Sequence, residues 1–392
     1  MRILVICQYY YPEPFKVHDV CEALVEKGHE VDVVTSFPNY PMGEIYDGYK
    51  GSEHKDEIIN GVNVHRVFTV GRRSGFVRRI ANYYAYSLAA SHYISKLRRD
   101  YDVVFVYQLS PVLMAKAGLK YKNKHGKKLL LYCLDLWPDS LTLGGIKKGS
   151  FIYNYYKKVS QKIYNGADKI LVSSNMFKKY HDEMFGINGE KIDYLPQYAE
   201  DVFCVKKQKE EDTLKITFAG NIGTTQSIET ILYAAQKLKG ENIGFHFYGD
   251  GSGLASLTDI AENHLKLDNV TFHGRIPLEE VPEKYAESDA LIVTLSDNPV
   301  LSMSFPGKIQ TYMAAGKPII AAVNGEAAQI IKDARCGFCT DAENVDGLVE
   351  CIRHFSAADK AALGENARKY YEDNFQKDDF IDKLISELEK LT

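Results

Sequence analysis

Short apolar runs rich in β-branched residues alternate along the whole chain with segments of helical hydrophobic period, the pattern of βαβ units whose parallel strands are covered on both faces. Six such runs lie in the first half: Arg2 to Cys7, Val31 to Ser36, Val62 to Val67, Val103 to Tyr107, Lys128 to Leu134 and Lys169 to Ser174. Five lie in the second: Lys215 to Gly220, Ile243 to Gly249, Val270 to Gly274, Ala290 to Leu295 and Pro318 to Val323. After the first run, Val17, Val20, Cys21, Leu24 and Val25 repeat at helical spacing and Gly28 follows as a stop signal. The run Lys206-Lys207-Gln208-Lys209-Glu210-Glu211-Asp212 has no apolar residue and reads as a linker. The expectation is an α/β protein with two Rossmann-like, doubly wound domains, residues 1–205 and 213–375, joined by 206–212.

At 392 residues, 45% hydrophobic and 26% charged, the chain suits two globular domains, which excludes a disordered, collagen-like or disulfide-scaffold protein. No apolar run is long enough to span a membrane, and Met1-Arg2-Ile3-Leu4-Val5 runs straight into a strand pattern rather than an export signal. With seven scattered cysteines, a reducing, cytoplasmic location is expected. The net charge of -4 conceals a split: residues 1–200 carry 28 basic and 21 acidic residues, net +7, while residues 201–392 carry 20 and 31, net -11. Residues 58–99 contain Arg66, Arg72, Arg73, Arg78, Arg79, Lys96, Arg98 and Arg99 and no acid. Such a patch attracts phosphates on nucleic acid or anionic lipid, or else only solubilises. The segment Phe76 to Leu88 mixes arginines, tyrosines and aliphatics at helical spacing, a composition for the lipid head-group region or for a core helix with a basic end.

Ligands of open α/β sheets bind beyond the carboxyl ends of the strands, so with two such sheets the cleft between them is the expected site. Gly220-Asn221-Ile222-Gly223-Thr224-Thr225-Gln226-Ser227 is a glycine-bearing strand-to-helix turn whose N–H groups could hold a phosphate. Gly249-Asp250-Gly251-Ser252-Gly253 resembles part of a dinucleotide fingerprint but follows the wrong strand for one. In Ser304-Phe305-Pro306-Gly307-Lys308, a Pro-Gly turn delivers Lys308 to a helix N-terminus, where ammonium and dipole together would grip a diphosphate. Asp135, at a strand's carboxyl end beside Trp137, could orient a substrate hydroxyl or merely cap the turn. His18 could act as a base or be structural, and Cys336-Gly337-Phe338-Cys339 lacks the second pair or histidines of a metal site.

Taken together, Gln8-Tyr9-Tyr10-Tyr11-Pro12-Glu13, Lys27-Gly28-His29-Glu30-Val31, Phe37-Pro38-Asn39-Tyr40-Pro41, Asp135-Leu136-Trp137-Pro138, Gly220-Asn221-Ile222-Gly223 and Pro306 to Pro318 resemble glycosyltransferase family 4 in order and spacing, over nearly the entire chain. The likeness looks closest to the branch that assembles lipid-linked precursors of O-antigen, capsule or exopolysaccharide, including amino-sugar transferases of the fucosamine transferase kind. It implies the GT-B fold, with a C-terminal helix, residues 376–392, crossing back to the first domain. It also implies retaining transfer from a UDP-sugar, here an N-acetylated amino sugar, without a metal, to a polyprenyl-diphosphate-linked glycan. The charge split, rather than the resemblance, gives the expectation that the basic first domain binds peripherally to the anionic inner face of the cytoplasmic membrane, and nucleic acid is not expected as a partner.

On that resemblance Lys308, Asp135 and Arg275 are expected in the chemistry. Gly220, Asn221, Gly223, Gln226, Gly249, Asp250, Ile276, Ser304, Gly307, Gln310, Thr311 and Glu326 are expected on the donor, and Lys16, His18, Asn39, Tyr40 and Trp137 on the acceptor side. The chain also departs from the family. The usual E-x7-E pair falls on Met303 and Thr311, leaving Gln310 and Glu326 as the nearest polar substitutes. The basic residue after the glycine turn falls on Thr224 or Thr225, leaving Lys308 as the phosphate cation with Arg275 and Lys16 as helpers, and the histidine before Asp135 is Leu134. Two alternatives follow, a non-catalytic nucleotide-sugar-binding protein and a GT-B-fold sugar-nucleotide 2-epimerase.

Overall fold

A computed structural model describes residues 1–51, 53–72, 76–203 and 213–392. Arg73 and the charged run 206–212 lie outside the described residues. The chain divides into two compact units, Met1–Leu195 with Ile381–Thr392, and Pro196–Phe380.

Among the described residues, the first unit is built on eight strands: β1 (Arg2–Ile6), β2 (Glu30–Ser36), β3 (Asp56–Ile59), β4 (Val62–Val67), β5 (Val103–Gln108), β6 (Lys128–Cys133), β7 (Lys169–Val172) and β8 (Ile192–Tyr194). Their order is β3-β4-β2-β1-β5-β6-β7-β8, parallel throughout except that β3 runs antiparallel to β4. β5 is buried along its whole length, and β1, β2 and β6 along all but their first residue, as a parallel sheet covered on both faces requires. β3, β8 and a last strand of the second unit have no counterpart in the expected set. β3 reads Asp56-Glu57-Ile58-Ile59, half of it acidic, at the sheet edge. Its turn, however, is an Asn60-Gly61 pair with φ of 47° and 81°, the two-residue hairpin signal.

The helix Phe76–Lys96 buries Asn82, Tyr83, Tyr86, Ser87, Ala90 and Ile94 along one stripe. Tyr86 donates its hydroxyl to the carbonyls of Cys7 (2.8 Å) and Val34 (2.9 Å), fixing this helix onto the sheet. The tyrosines read as suited to lipid are thus divided: Tyr83 and Tyr86 are core, and Leu88, Arg78 and Arg79 face outward. The acid-free stretch is also partly neutralised by acids from elsewhere. Arg66 is buried against Glu57, and Arg99 pairs with Glu30 (2.7 Å) and Asp32 (3.0 Å).

Among the described residues, the second unit holds six parallel strands: β9 (Leu214–Ala219), β10 (Ile243–Tyr248), β11 (Val270–Gly274), β12 (Ala290–Thr294), β13 (Ile319–Ala322) and β14 (Gly337–Thr340). The order β11-β10-β9-β12-β13-β14 is the doubly wound arrangement, reversing direction between β9 and β12. The division between units falls at Leu195, ahead of the charged run, because the segment after it packs into the second unit. There Ala199 and Phe203 join the core, Phe203 stacks on Tyr285 at 5.6 Å, and the Tyr371 hydroxyl donates to the Ala199 carbonyl at 3.3 Å. The last helix, Lys377–Glu389, returns the chain to the first unit from Ile381 onward. There Ile381, Leu384 and Leu388 are buried, and Lys383 donates to the Tyr194 carbonyl at 2.8 Å. No helix among the described residues is long and apolar enough to cross a membrane.

Candidate functional site

In the second unit the reversal between β9 and β12 opens the crevice where doubly wound folds bind ligands. The loops after β9 and β10 approach so closely that only glycine fits. A Cβ on Gly249 (φ 145°) would lie 1.8 Å from the Gly220 carbonyl oxygen, and one on Gly220 (φ 140°) would lie 2.4 Å from Lys308 Cε. Main-chain bonds zip these loops beyond the strands, Gly220 N–H to the Tyr248 carbonyl (2.9 Å) and Ile222 N–H to that of Asp250 (2.9 Å). Gly223 N–H is taken by Gln226 Oε1 at 3.2 Å, which also accepts from Asn221 Nδ2 at 3.2 Å. Three N–H groups expected to cradle a diphosphate are therefore already used within the fold, and Gln226 acts as a strut inside the turn.

What remains for an anion is Lys308. It sits in the first turn of the helix Gly307–Ala314, its ammonium 4.6 Å from the Phe218 ring centre and directly over Gly220. Among the described residues no carboxylate or hydrogen-bond acceptor faces it. Burial lowers its pKa to about 8. The positive end of the helix dipole disfavours an uncompensated cation further, so this ammonium is poised to be paired by an incoming phosphate.

In the first unit the equivalent reversal lies between β1 and β5. Glu13, buried in the loop after β1, accepts N–H bonds from Tyr10 (3.2 Å), Asn39 (2.8 Å) and Tyr40 (2.7 Å), so one carboxylate ties this loop to the loop after β2. Burial raises its pKa to about 7 against the pull of those three donors. Gln8 donates to Asn82 Oδ1 at 2.7 Å, and Asn82 in turn donates to the Val70 carbonyl (2.6 Å), Thr69 Oγ1 (3.2 Å) and Asn39 Oδ1 (3.3 Å). After β6, burial raises the Asp135 carboxyl while Ser110, through its hydroxyl and its N–H, pulls it back down. Trp137 donates its indole N–H to Ser110 Oγ at 2.9 Å and meets Tyr156 edge-on at 5.2 Å.

Two family models match this chain, Glycosyltransferase Family 4 over residues 17–197 and Glycosyl transferases group 1 over residues 201–370. The chain belongs to glycosyltransferase family 4. Its relatives include WbjE of Pseudomonas aeruginosa, named as a glycosyltransferase, 28% identical over 307 residues that cover 74% of this chain and 75% of WbjE. WcaI of Escherichia coli (strain K12), named as a colanic acid biosynthesis glycosyl transferase, is 24% identical over 412 residues, 99% of this chain and 100% of its own. Among solved structures, sucrose-phosphate synthase from Thermosynechococcus elongatus superposes with a TM-score of 0.79 at 15% identity, covering 100% of this chain and 98% of that one. Anabaena HepE, solved with UDP and glucose, superposes at 0.71 and 15% identity with both chains fully covered. At such identities the likeness carries the fold alone, which is GT-B.

In this family 4 glycosyltransferase the expected donor residues separate into those brought together and those turned into the fold. Gly220, Gly249 and Lys308 meet as described, while Glu326 is buried at the start of its own helix, Glu326–Ala334, just after Gly325, which abuts the Ser302 backbone of the helix Pro299–Met303. Gln310, expected as a polar substitute for the missing carboxylate, is buried, its Nε2 donating to the Gln197 carbonyl. Thr311 donates to the carbonyls of Gly307 (3.0 Å) and Lys308 (2.9 Å), and Ser304 to that of Val300 (3.0 Å). Asp250 caps the N–H of Gly251 at 2.7 Å, Ile276 packs against the core, and Arg275 is exposed after β11 with no contact to Lys308 among the described residues. Gly307 contributes only the exposed first residue of its helix.

On the acceptor side, Asn39 is buried, its Nδ2 donating to the Phe37 carbonyl at 2.9 Å. Tyr40 lies against Phe15 at 5.0 Å and under the Arg72 guanidinium at 5.7 Å. His18 Nδ1 bonds to the Phe15 carbonyl at 2.6 Å, and Lys16 precedes its helix at the N-cap. Sequence reasoning missed Gln8, Asn82, Ser110 and the burial of Glu13. Only Glu13 carried a signal, an acid set among three tyrosines and a proline.

Proposed function

We propose that this chain transfers an N-acetylated amino sugar from its UDP-sugar to a polyprenyl-diphosphate-linked glycan during assembly of a bacterial surface polysaccharide, with retention of configuration and without a metal ion. The observation that carries the reading is Lys308: a half-buried ammonium over Gly220 and Phe218 that lacks a counter-charge among the described residues. Departure of UDP places negative charge on a phosphate oxygen, and a preorganised cation in a low-dielectric site stabilises that charge strongly. In the retaining course, that oxygen takes the acceptor's proton on the same face, so no side-chain base is required. Support for the donor comes from HepE, whose structure holds UDP and glucose, and for the pathway from WcaI, named for colanic acid biosynthesis.

The test is a panel of UDP-sugars incubated with the protein, with release of free UDP as the readout. Lys308→Ala should lower turnover by about 10²- to 10³-fold while the melting curve stays native, with Lys308→Arg recovering part of it. EDTA should leave the wild-type rate unchanged. Full activity in Lys308→Ala, or a chelated enzyme revived by Mg²⁺, defeats the proposal. Met303 and Thr311 in place of the family's carboxylates favour one second reading, a nucleotide-sugar-binding protein without catalysis. That protein would show thermal stabilisation by UDP-sugar with no UDP released.

A further inference from the structure

In the first unit a pocket of about 280 Å³ lies between the helix Phe76–Lys96, Ser110 in the loop after β5, and the segment 137–156. Its lining combines two chemistries, the basic residues Arg72 and Arg79 and the aliphatic residues Leu141, Leu143, Ile146 and Ile152. Arg72 is held in place by aromatic faces: its guanidinium lies 5.7 Å from the ring centres of Tyr40 and Tyr83, 6.0 Å from that of Tyr9, and donates to the Tyr9 hydroxyl at 3.1 Å. Among the described residues no carboxylate pairs with Arg72 or Arg79. Two guanidiniums without counter-charge, one of them fixed by tyrosines, form an anion site whose planar donors match phosphate oxygens.

The aliphatic lining narrows which anion fits: free phosphate has nothing to lay against four aliphatic side chains, whereas a phosphate carrying a hydrocarbon chain does. Two of these aliphatic residues also reach the surface, Leu143 being 40% exposed and Ile152 38%, and Phe151, the residue before Ile152, is 88% exposed. A volume just under the roughly 300–1,000 Å³ that encloses a whole small ligand suits a head group and the start of its chain, with the remainder leaving over Phe151.

Resting on the proposed lipid-linked acceptor, we propose that this pocket holds the acceptor's lipid diphosphate, with Arg72 and Arg79 on the phosphates and Leu143, Ile146 and Ile152 on the first isoprene units. The pocket carries its own reporter, because Trp137, the single tryptophan of the chain, lines it. The full chain is titrated with geranyl diphosphate, inorganic diphosphate and geraniol while Trp137 emission is followed. Geranyl diphosphate should change the emission saturably and bind about tenfold or more tighter than either fragment. Arg72→Ala and Arg79→Ala should each weaken it about tenfold, and Ile152→Asp should abolish its advantage over inorganic diphosphate. UDP affinity, a property of the second unit, serves as the folding control and should stay unchanged in all three variants. Equal binding of geranyl and inorganic diphosphate, or binding indifferent to both arginines, overturns the assignment. So does an enzyme that glycosylates a lipid-linked acceptor while saturating geranyl diphosphate leaves Trp137 emission unaltered, an outcome that retains the proposed function and removes this pocket from it.

Discussion

On the proposed function, donor binding turns on the Lys308 ammonium, and its environment makes that dependence measurable. Burial lowers its pKa to about 8 from an ordinary lysine value of 10.5, so the fold favours the neutral amine. Linkage then has a definite sign. Between about pH 8 and 10.5 the unfolded chain binds the extra proton, and this one group makes the protein more stable as pH rises through that window. Donor binding runs the other way, because a diphosphate requires the charged form. UDP affinity should be full below pH 8 and fall by up to about tenfold per unit above it, as the free enzyme loses the proton that the complex needs. Lys308→Arg should bind UDP with no such slope, since a guanidinium does not titrate there. Calorimetric titration with UDP at pH 7, 8 and 9 reads this directly. A wild-type profile as flat as the arginine variant's would mean that Lys308 does not contact the diphosphate.

At the scale of elements, the proposed donor end of the second unit depends on two loops whose backbones touch, and the two glycines there should fail in different ways. A methyl on Gly249 meets the rigid Gly220 carbonyl at 1.8 Å, whereas one on Gly220 meets the flexible end of Lys308. Gly249→Ala should therefore cost the unit about 3 kcal/mol or more and lower its melting temperature by roughly 6 °C or more. Gly220→Ala should lose less stability, despite its φ, yet weaken UDP about tenfold by displacing the ammonium. Melting curves paired with UDP titrations of both variants check this, and equal loss of UDP binding per degree of melting would refute it. The same loops mark how far the sequence is readable. Strands built of consecutive β-branched residues were expected within a residue or so of their positions, because a parallel sheet buried on both faces permits little else. β3, β8 and β14 were not, being short segments at sheet edges where partial exposure blurs the pattern. Lys308 was readable because Pro306-Gly307 places it at a helix start. The bond of Gln310 to the Gln197 carbonyl was not readable, because that partner is remote in sequence. Glu13 likewise owes its burial to the N–H groups of a different loop.

At the scale of the whole molecule, the first unit carries the positive half of the charge split and exposes both basic and apolar residues. With Arg66 and Arg99 paired, the acid-free stretch still leaves Arg78, Lys96 and Arg98 exposed. The helix Phe151–Gly166 adds a feature that composition did not reveal. Along its exposed side Phe151, Tyr155, Lys158 and Lys162 follow at i, i+4, i+7 and i+11, aromatics at one end and lysines at the other, just after Lys147 and Lys148. Aromatics that enter the head-group layer beside lysines that remain in water are the combination by which a surface lies on an anionic bilayer. Each basic residue near such a surface contributes about 1 kcal/mol, and salt screens it within roughly 10 Å at 0.1 M. The proposed lipid-linked acceptor would be presented at such a bilayer, so docking there would raise its local concentration without any added contact in the site. The protein should therefore float with vesicles containing anionic lipid at about 0.1 M salt and release at high salt. The triple variant Arg78→Glu, Lys158→Glu, Lys162→Glu should abolish flotation, and Phe151→Glu should weaken it at every salt concentration, since it removes an apolar anchor rather than a charge. UDP affinity in these variants should match wild type, confirming that the fold is intact. Flotation unaffected by the charge reversals, or absent from wild type at low salt, would leave the basic surface as a solubilising face and the exposed Phe151 without a membrane role.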